Sequence, residues 1–439
     1  MLQSGAVDSM GMRRAAAPCD PVAMPSPPPN AAAAYAARIA FIVELAEHLH
    51  LYGTTSQRLE GAIMSVARRL GLDCEPWSNP TGLILTFSDP QRPPGESDTT
   101  RVIRLPPGET NLYKLCKADE IAEEVMAGRL DLAEGHAALR ALDRPSGWRG
   151  DLQQVIGFGL AAASVAGLLR LPWLDIATAW VIGTLVGLLG LASRGRPQMK
   201  EADDAIAGIV AGGLAALVAA FVAPLNLNTV VIASMIVLMP GMALTNAFSE
   251  LTSQHLVSGT ARFAGAVTTL LKLTVGTMIA LTVVQLLGLE PQVRAWRPQP
   301  GWVEWGAVVT ASWAFAALFR ASRRDYLLVM AAAIAGYAIS RLVGQWLGSP
   351  IGVFLSALVV TVAGNGYARW WNRPGAIIRV PGIIMLVPGS TSLRSLLVAV
   401  QQQDVAAGQD AAITVVNVLL ALIAGLLIGN LLLPARRNL

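Results

Sequence analysis

The chain has 439 residues, 54% of them hydrophobic and only 14% charged, with a mean hydropathy of +0.51. A soluble domain cannot bury that much apolar surface, so the composition excludes a purely globular protein and indicates one embedded in a bilayer. The net charge of +4 and pI of about 9.1 arise from short basic clusters between apolar runs, a pattern that signals membrane topology rather than a nucleic-acid partner.

Residues 1–30 are rich in Ala, Pro and Ser, lack the apolar core of a secretory signal, and predict a disordered tail. Residues 31–145 then predict a small cytoplasmic α/β domain. Ala31 to Leu51 keeps helical spacing at Ile39, Ile42, Val43, Ala46 and Leu49, with Arg38, Glu44 and Glu47 on the polar side. Gly53 stops it, Thr54 to Ser56 offers an N-cap, and Leu59, Ile63, Val66 and Leu70 continue a second helix to Gly71. Leu83 to Phe87 and Arg101 to Leu105 read as strands split by the loop at Pro93 to Gly95. A charged helical stretch, Asn111 to Leu142, leads to the exit at Arg144-Pro145-Ser146-Gly147. Cys19, Cys74 and Cys116 all precede the first membrane segment without zinc-type spacing, which fits a reducing cytosol. His48, His50 and His136 read as solvated helix histidines, so no metal or other cofactor is expected.

Ten spans follow, near 152–170, 173–192, 203–223, 229–249, 263–288, 302–320, 325–346, 351–371, 381–400 and 411–433. Together they predict an all-α membrane fold of two five-helix halves, 150–290 and 301–434. Arg194, Arg196, Lys200, Arg262, Arg320, Arg323, Arg324, Arg373, Arg379, Arg436 and Arg437 fall on one side, with Arg294 and Arg297 as exceptions. By the positive-inside rule that side, with both termini, is cytoplasmic, giving a multi-pass protein of the inner (plasma) membrane. Trp148, Trp173, Trp296, Trp302, Trp346, Trp370 and Trp371 lie near span ends, where indole rings prefer the headgroup zone.

One motif occurs twice inside these spans: Leu238-Met239-Pro240-Gly241 and Leu386-Val387-Pro388-Gly389. Gly259 and Gly408 follow the two prolines by 19 and 20 residues, and Gly276 and Gly425 by 36 and 37. The motif falls on the fourth span, running inward, and the ninth, running outward, so the reading is a 5+5 inverted repeat. Interrupted helices in lipid are tolerated where they are packed in protein or line a wet cavity, and paired breaks point to a transport site. Gly157-Phe158-Gly159, Gly183 and Gly187 sit in apolar spans and read as close helix packing; no P-loop, G-x-S-x-G elbow or H-E-x-x-H is present.

The candidate substrate site comprises Pro240, Gly241, Thr245 and Asn246 at the first break and Pro388, Gly389, Ser390, Thr391, Ser392 and Arg394 at the second, with Lys272 on the fifth span. Half-helix ends hold carboxylate and ammonium groups, hydroxyls and amides add selectivity, and a charge within a span is functional by default. The bland alternative for the hydroxyls is interhelical hydrogen bonding, and for Lys272 snorkelling or an ion pair. The acids within reach of the spans are Asp175, Asp203, Asp204, Glu250, Asp325, Asp404 and Asp410; Asp203, Asp204 and Glu250, at cytoplasmic ends, are the coupling candidates. Arg341 is a further charge, on the seventh span.

The segment Glu44-Leu45-Ala46 through Gly53, then Arg58-Leu59-Glu60, Leu70-Gly71-Leu72, a strand and the two Leu-x-Pro-Gly motifs resembles the threonine/serine exporter family, over residues from about 36 to 434. The resemblance implies a cytoplasmic N-terminal domain, about ten transmembrane helices, and export of threonine and serine driven by the proton motive force. Relatives split into two polypeptides resemble dicarboxylate exporters, and the fused halves favour the amino-acid branch. The expectation is therefore a secondary-active exporter of small hydroxy-amino acids whose partners are that substrate and the bilayer, with homo-oligomerisation left open. The alternatives are a dicarboxylate exporter, with Lys272 and Arg394 on the two carboxylates, and a membrane-anchored enzyme or sensor working through residues 31–142.

Overall fold

The structure is a computed structural model that describes residues 29–91, 98–143, 147–294, 297–371, 373–401 and 405–434. Most of the expected tail, Cys19, Pro93 to Gly95, Arg144 to Ser146, Trp296, Asp404, Arg436 and Arg437 lie outside the described residues.

The N-terminal part holds α1 (Pro29–Leu51), α2 (Ser56–Arg69), β1 (Asp73–Asn79), β2 (Gly82–Ser88), β3 (Thr99–Arg104), α3 (Leu112–Met126) and α4 (Leu132–Ala141). The strands form an antiparallel sheet in the order β1-β2-β3, with Cys74 opposite Phe87 and Leu85 opposite Arg101. β1 has little apolar alternation and contains Pro76, so the sequence hides it; as an edge strand it tolerates the missing N–H. Asn111 to Leu142 is two helices rather than one continuous stretch. Gly128, at φ +70°, ends α3, and Asp131 with Glu134 forms a capping box that starts α4.

Helix α1 is central. Phe41, Ile42, Leu45, Ala46 and Leu49 are wholly buried against Leu59 and Ile63 of α2, Leu83 and Leu85 of β2, and Leu139 of α4. This overturns the solvated reading of two histidines, because the last turns of α1 are packed on more than one side: His48 and His50 are buried. His48 Nδ1 meets Glu44 O at 2.7 Å and Nε2 meets Asp143 at 3.1 Å, while His50 Nε2 meets Pro106 O at 3.1 Å. His136 pairs with Glu44. Burial lowers the His50 pKa below its ordinary value and pushes the thiols of Cys74 and Cys116 up to about 12. Among the described residues no group of three or more His, Cys, Asp or Glu is arranged to hold a metal.

The remaining helices are α5 (Trp148–Leu168), α6 (Trp173–Ala192), α7 (Pro197–Phe221), α8 (Leu227–Ser234), α9 (Gly241–Thr252), α10 (Leu256–Leu286), α11 (Gly301–Leu318), α12 (Tyr326–Leu347), α13 (Ser349–Trp371), α14 (Ala376–Ile384), α15 (Gly389–Gln401) and α16 (Val405–Leu432). Among the described residues eight segments are long and apolar enough to cross a membrane, and α8 with α9 makes a ninth that is bent by 57°. The protein is a multi-pass membrane protein. The expected ten spans are thus eight or nine among the described residues: α11, at the expected span 302–320, falls outside the set and carries Glu304, a buried acid with no mark of its own in the sequence, to which Tyr337 OH and Arg341 Nε, both on α12, donate at 2.7 and 2.9 Å.

α7 packs along α10 and α13 along α16; α9 lies on α10 and α15 on α16; α5 packs on α6 and α11. Small residues permit these approaches. A Cβ on Gly276 of α10 would strike Ala205 of α7, and one on Gly425 of α16 would strike Phe354 of α13. The N-terminal core runs into this bundle through Ala316, Val329, Ala376 and Ile377, the last two at the start of α14.

Candidate functional site

Each break is a backbone construction. Pro240 lacks an N–H and cannot continue the ladder, so α8 ends, a 3-10 turn runs over Ile236–Leu238, and α9 restarts at Gly241. Gly241 N–H reaches only to Met239 O (2.8 Å), and Leu244 N–H donates to Pro240 O (2.9 Å). The second break has the same bonds: Gly389 N–H to Val387 O (2.9 Å) and Ser392 N–H to Pro388 O (3.0 Å).

The two breaks touch. A Cβ on Gly241 would overlap the Val387 side chain and lie 3.4 Å from Gly389 Cα, while one on Gly389 would lie 3.3 Å from Met239 Cβ. Glycine allows this approach. Because α9 and α15 both begin here, two helix N-termini with unpaired N–H groups and partial positive charge converge on one spot.

Beside that spot is a cavity of about 740 Å³. Met239, Pro240, Gly241, Val387 and Gly389 line it on one side, Asp203, Asp204 and Thr269 on another, and it extends to Arg194, Lys200 and the N-terminal loop residues Glu109 and Thr110. Ser193 Oγ donates to Asp203 at 3.0 Å, and Thr269 Oγ1 to Asp204 at 3.5 Å. Lys272 stands behind them, with Nζ 2.8 Å from Glu201 O and 3.9 Å from Asp204. The arrangement offers an anion-favouring end and an acidic end in one cavity.

Of the sequence candidates, Pro240, Gly241, Gly389, Asp203 and Asp204 share this cavity. Pro388 is buried at the second break. Thr245 and Ser392 are buried, but their hydroxyls donate to Gly241 O (3.2 Å) and Pro388 O (2.7 Å) of their own helices. Ser390 and Thr391 are half-buried in the first turn of α15, and Asn246 is half-buried on α9, off the cavity wall. Arg394 is exposed.

Glu250 lies elsewhere and is fully engaged. It accepts from Ser56 N (3.0 Å), Ser258 Oγ (2.8 Å) and two nitrogens of Arg262 (both 3.1 Å), and it is 1% exposed. Next to it His255 Nε2 meets Glu60 at 2.9 Å. These contacts bolt the N-terminus of α2 to the turn between α9 and α10. No local sequence signal marks this joint, because its partners are 194 and 195 residues apart.

A bundle of apolar helices with two interrupted segments meeting beside a largely apolar cavity that carries a few charged groups belongs to the class of membrane transporters. The chain belongs to the threonine/serine exporter family: residues 40–284 match one family description of that name and residues 305–432 a second. It is similar to pheromone-regulated membrane protein 10 of Zygosaccharomyces rouxii, 23% identical over 379 residues that make up 83% of this chain and 38% of the yeast protein. The Eremothecium gossypii protein of that name is 22% identical over 387 residues, 86% of this chain and 52% of the relative, and that of Saccharomyces cerevisiae 22% over 382 residues, 85% and 49%. The chain thus spans about half or less of the length of these curated relatives. No solved structure matches.

Proposed function

We propose that the protein is a secondary-active exporter of threonine and serine in the inner membrane, driven by the proton motive force, with residues 31–145 as a cytoplasmic α/β domain and both termini cytoplasmic. Halves 150–290 and 301–434 form an inverted repeat, and rocking one against the other gives alternating access. The packing supports this: Gly276 meets Ala205 and Gly425 meets Phe354, and both pairs are 71 residues apart (276 − 205 and 425 − 354). Direction supports it too. The first broken span finishes at Glu250 on the N-terminal part, whereas the second starts there, next to Ile377 of the shared core.

The observation that carries the reading is the meeting of two Pro-Gly breaks at a cavity walled by Asp203 and Asp204. A free amino acid has one carboxylate for the paired helix N-termini and one ammonium for the acids. A dicarboxylate would bring its second charge toward Asp203 and Asp204; of the cations near it, Arg194 is taken by Asp151 and Gln154, Lys272 lies beside Asp204 and Arg394 is exposed, which leaves Lys200 at the cavity's edge. The test is flux from proteoliposomes loaded with labelled threonine or succinate under an imposed proton gradient. Gradient-dependent threonine efflux that succinate does not compete is the expected result; succinate efflux without threonine efflux would remove the amino-acid reading.

A further inference from the structure

Each half holds the start of its broken span with an aspartate from its second helix, and the two clasps differ in charge. Asp325, just before α12, takes Arg373, just before α14, in a two-pronged pair of 2.6 and 2.9 Å. Asp175, in the first turn of α6, takes Asn226, just before α8: Asn226 N–H and Nδ2 both donate to Oδ2, at 3.1 and 2.6 Å. The partners are 48 residues apart in one clasp and 51 in the other.

At Asp325 a guanidinium balances the carboxylate. At Asp175 an amide does not, although the side chain is 0% exposed, and its Oδ1 has no partner among the described residues. The helices packed on α6 bring little charge to that end. α5 is followed by Arg170, whose Nε donates to Gln299 O; the last turns of α7 and all of α8 are uncharged; Arg294 follows Gln292 and bonds Leu225 through its backbone. Among the described residues Asp175 is in no ion pair. Asn226 stabilises one oxygen, but a carboxylate sealed from water with a bare second oxygen calls for a positive partner.

We propose that Asp175 is a binding site for a small monovalent cation, a proton or a sodium ion, held on Oδ1. Its position ties occupancy to the substrate cavity: α8 is only eight residues long, and its other end leads into the Pro240-Gly241 break. The coupling part of this inference rests on the exporter reading; the binding part does not.

The test uses the full chain, wild type and two variants. Asp175→Asn removes the acceptor, and Asn226→Arg supplies the cation that the other clasp already has. In detergent, the unfolding temperature is followed as pH is varied without sodium and as sodium is varied at constant pH; the arm that responds names the ion. A cation-dependent part present in wild type and missing from both variants is expected. In proteoliposomes, gradient-driven threonine accumulation relative to exchange is expected to fall about tenfold or more, within the range of coupling between linked sites. If Asp175→Asn does not fold, Asn226→Arg carries the test. Variants that keep the wild-type cation dependence, or a wild type indifferent to both ions, would overturn the site. Loss of cation dependence in a protein that moves no threonine at all would sustain the site and sink the exporter reading instead.

Discussion

The two broken spans share a backbone and differ in anchorage. Both turn on the same pair of hydrogen bonds, and both restart a helix at glycine. Yet the second part of the first span, α9, runs to Glu250 and is bolted to α2, whereas among the described residues no hydrogen bond or ion pair ties α15 to the N-terminal part. The kinks differ too: the first span is bent by 57° at its break, whereas Ala376–Leu397 runs through the second break as one candidate span.

The sharpest way to break this comparison is Glu250→Ala. It strands Arg262 and the Ser56 N–H, and removing one member of a buried pair costs about 3–5 kcal/mol, so thermal unfolding should fall steeply. Arg394→Ala, on the exposed face of α15, should stay within about 0.5 kcal/mol. Equal effects would show that the anchorage is not one-sided.

Next in size is a pair of glycine substitutions. Gly241→Ala drives a methyl into Val387 and should cost about 1–3 kcal/mol with loss of threonine efflux. Gly389→Ala meets its first neighbour, Met239 Cβ, only at 3.3 Å and should retain more of both. Stability and efflux of the two variants, measured together, check the ranking.

Smaller effects belong to the N-terminal part. Burial lowers the His50 pKa, so His50 contributes stability above its ordinary value of 6.5 that is lost as pH falls below it, when the unfolded chain takes up the proton first. His50→Gln should flatten that acid limb in a pH series of unfolding temperatures. Cys74 and Cys116, raised from 9.0 to about 12, contribute stability below pH 9.0 that is lost as pH rises toward 12. At neutral pH both are thiols rather than thiolates, so alkylation should be slow in the folded protein and fast after unfolding.

Much of this was legible from periodicity and punctuation. The apolar runs mark the helices, Pro240-Gly241 and Pro388-Gly389 mark the interruptions, and Gly183 sits against Ala162 as close helix packing requires. β1 was hidden because an edge strand can carry Pro76 and exposed polar residues. The candidate site was half legible. The break residues and the Asp203-Asp204 pair could be picked out as charge and proline in apolar context, but the side of its helix each residue shows to the cavity could not. That is why Thr245 and Ser392, with hydroxyls turned onto their own backbone, looked the same as Ser390 and Thr391. Glu304 has no mark of its own in the sequence, and Asp175, though within reach of the spans, does not stand out as a coupling candidate, for a related reason: a lone acid near a span end is unremarkable until its surroundings are seen to be dry.

By itself the order of residues determined that this chain enters a bilayer and where two of its apolar runs must stop hydrogen-bonding to themselves, but not the number of spans, ten expected against eight or nine among the described residues. Those are local matters, decided by transfer free energy and by the missing N–H of proline. Only the tertiary structure decided that the two stops lie against each other, that Glu250 clamps α2 instead of facing the cavity, and that Arg373 neutralises Asp325 while Asp175 has only an amide. Contacts between residues 48 to 202 positions apart depend on how whole helices pack, and side-chain identity carries no record of the neighbour it will meet.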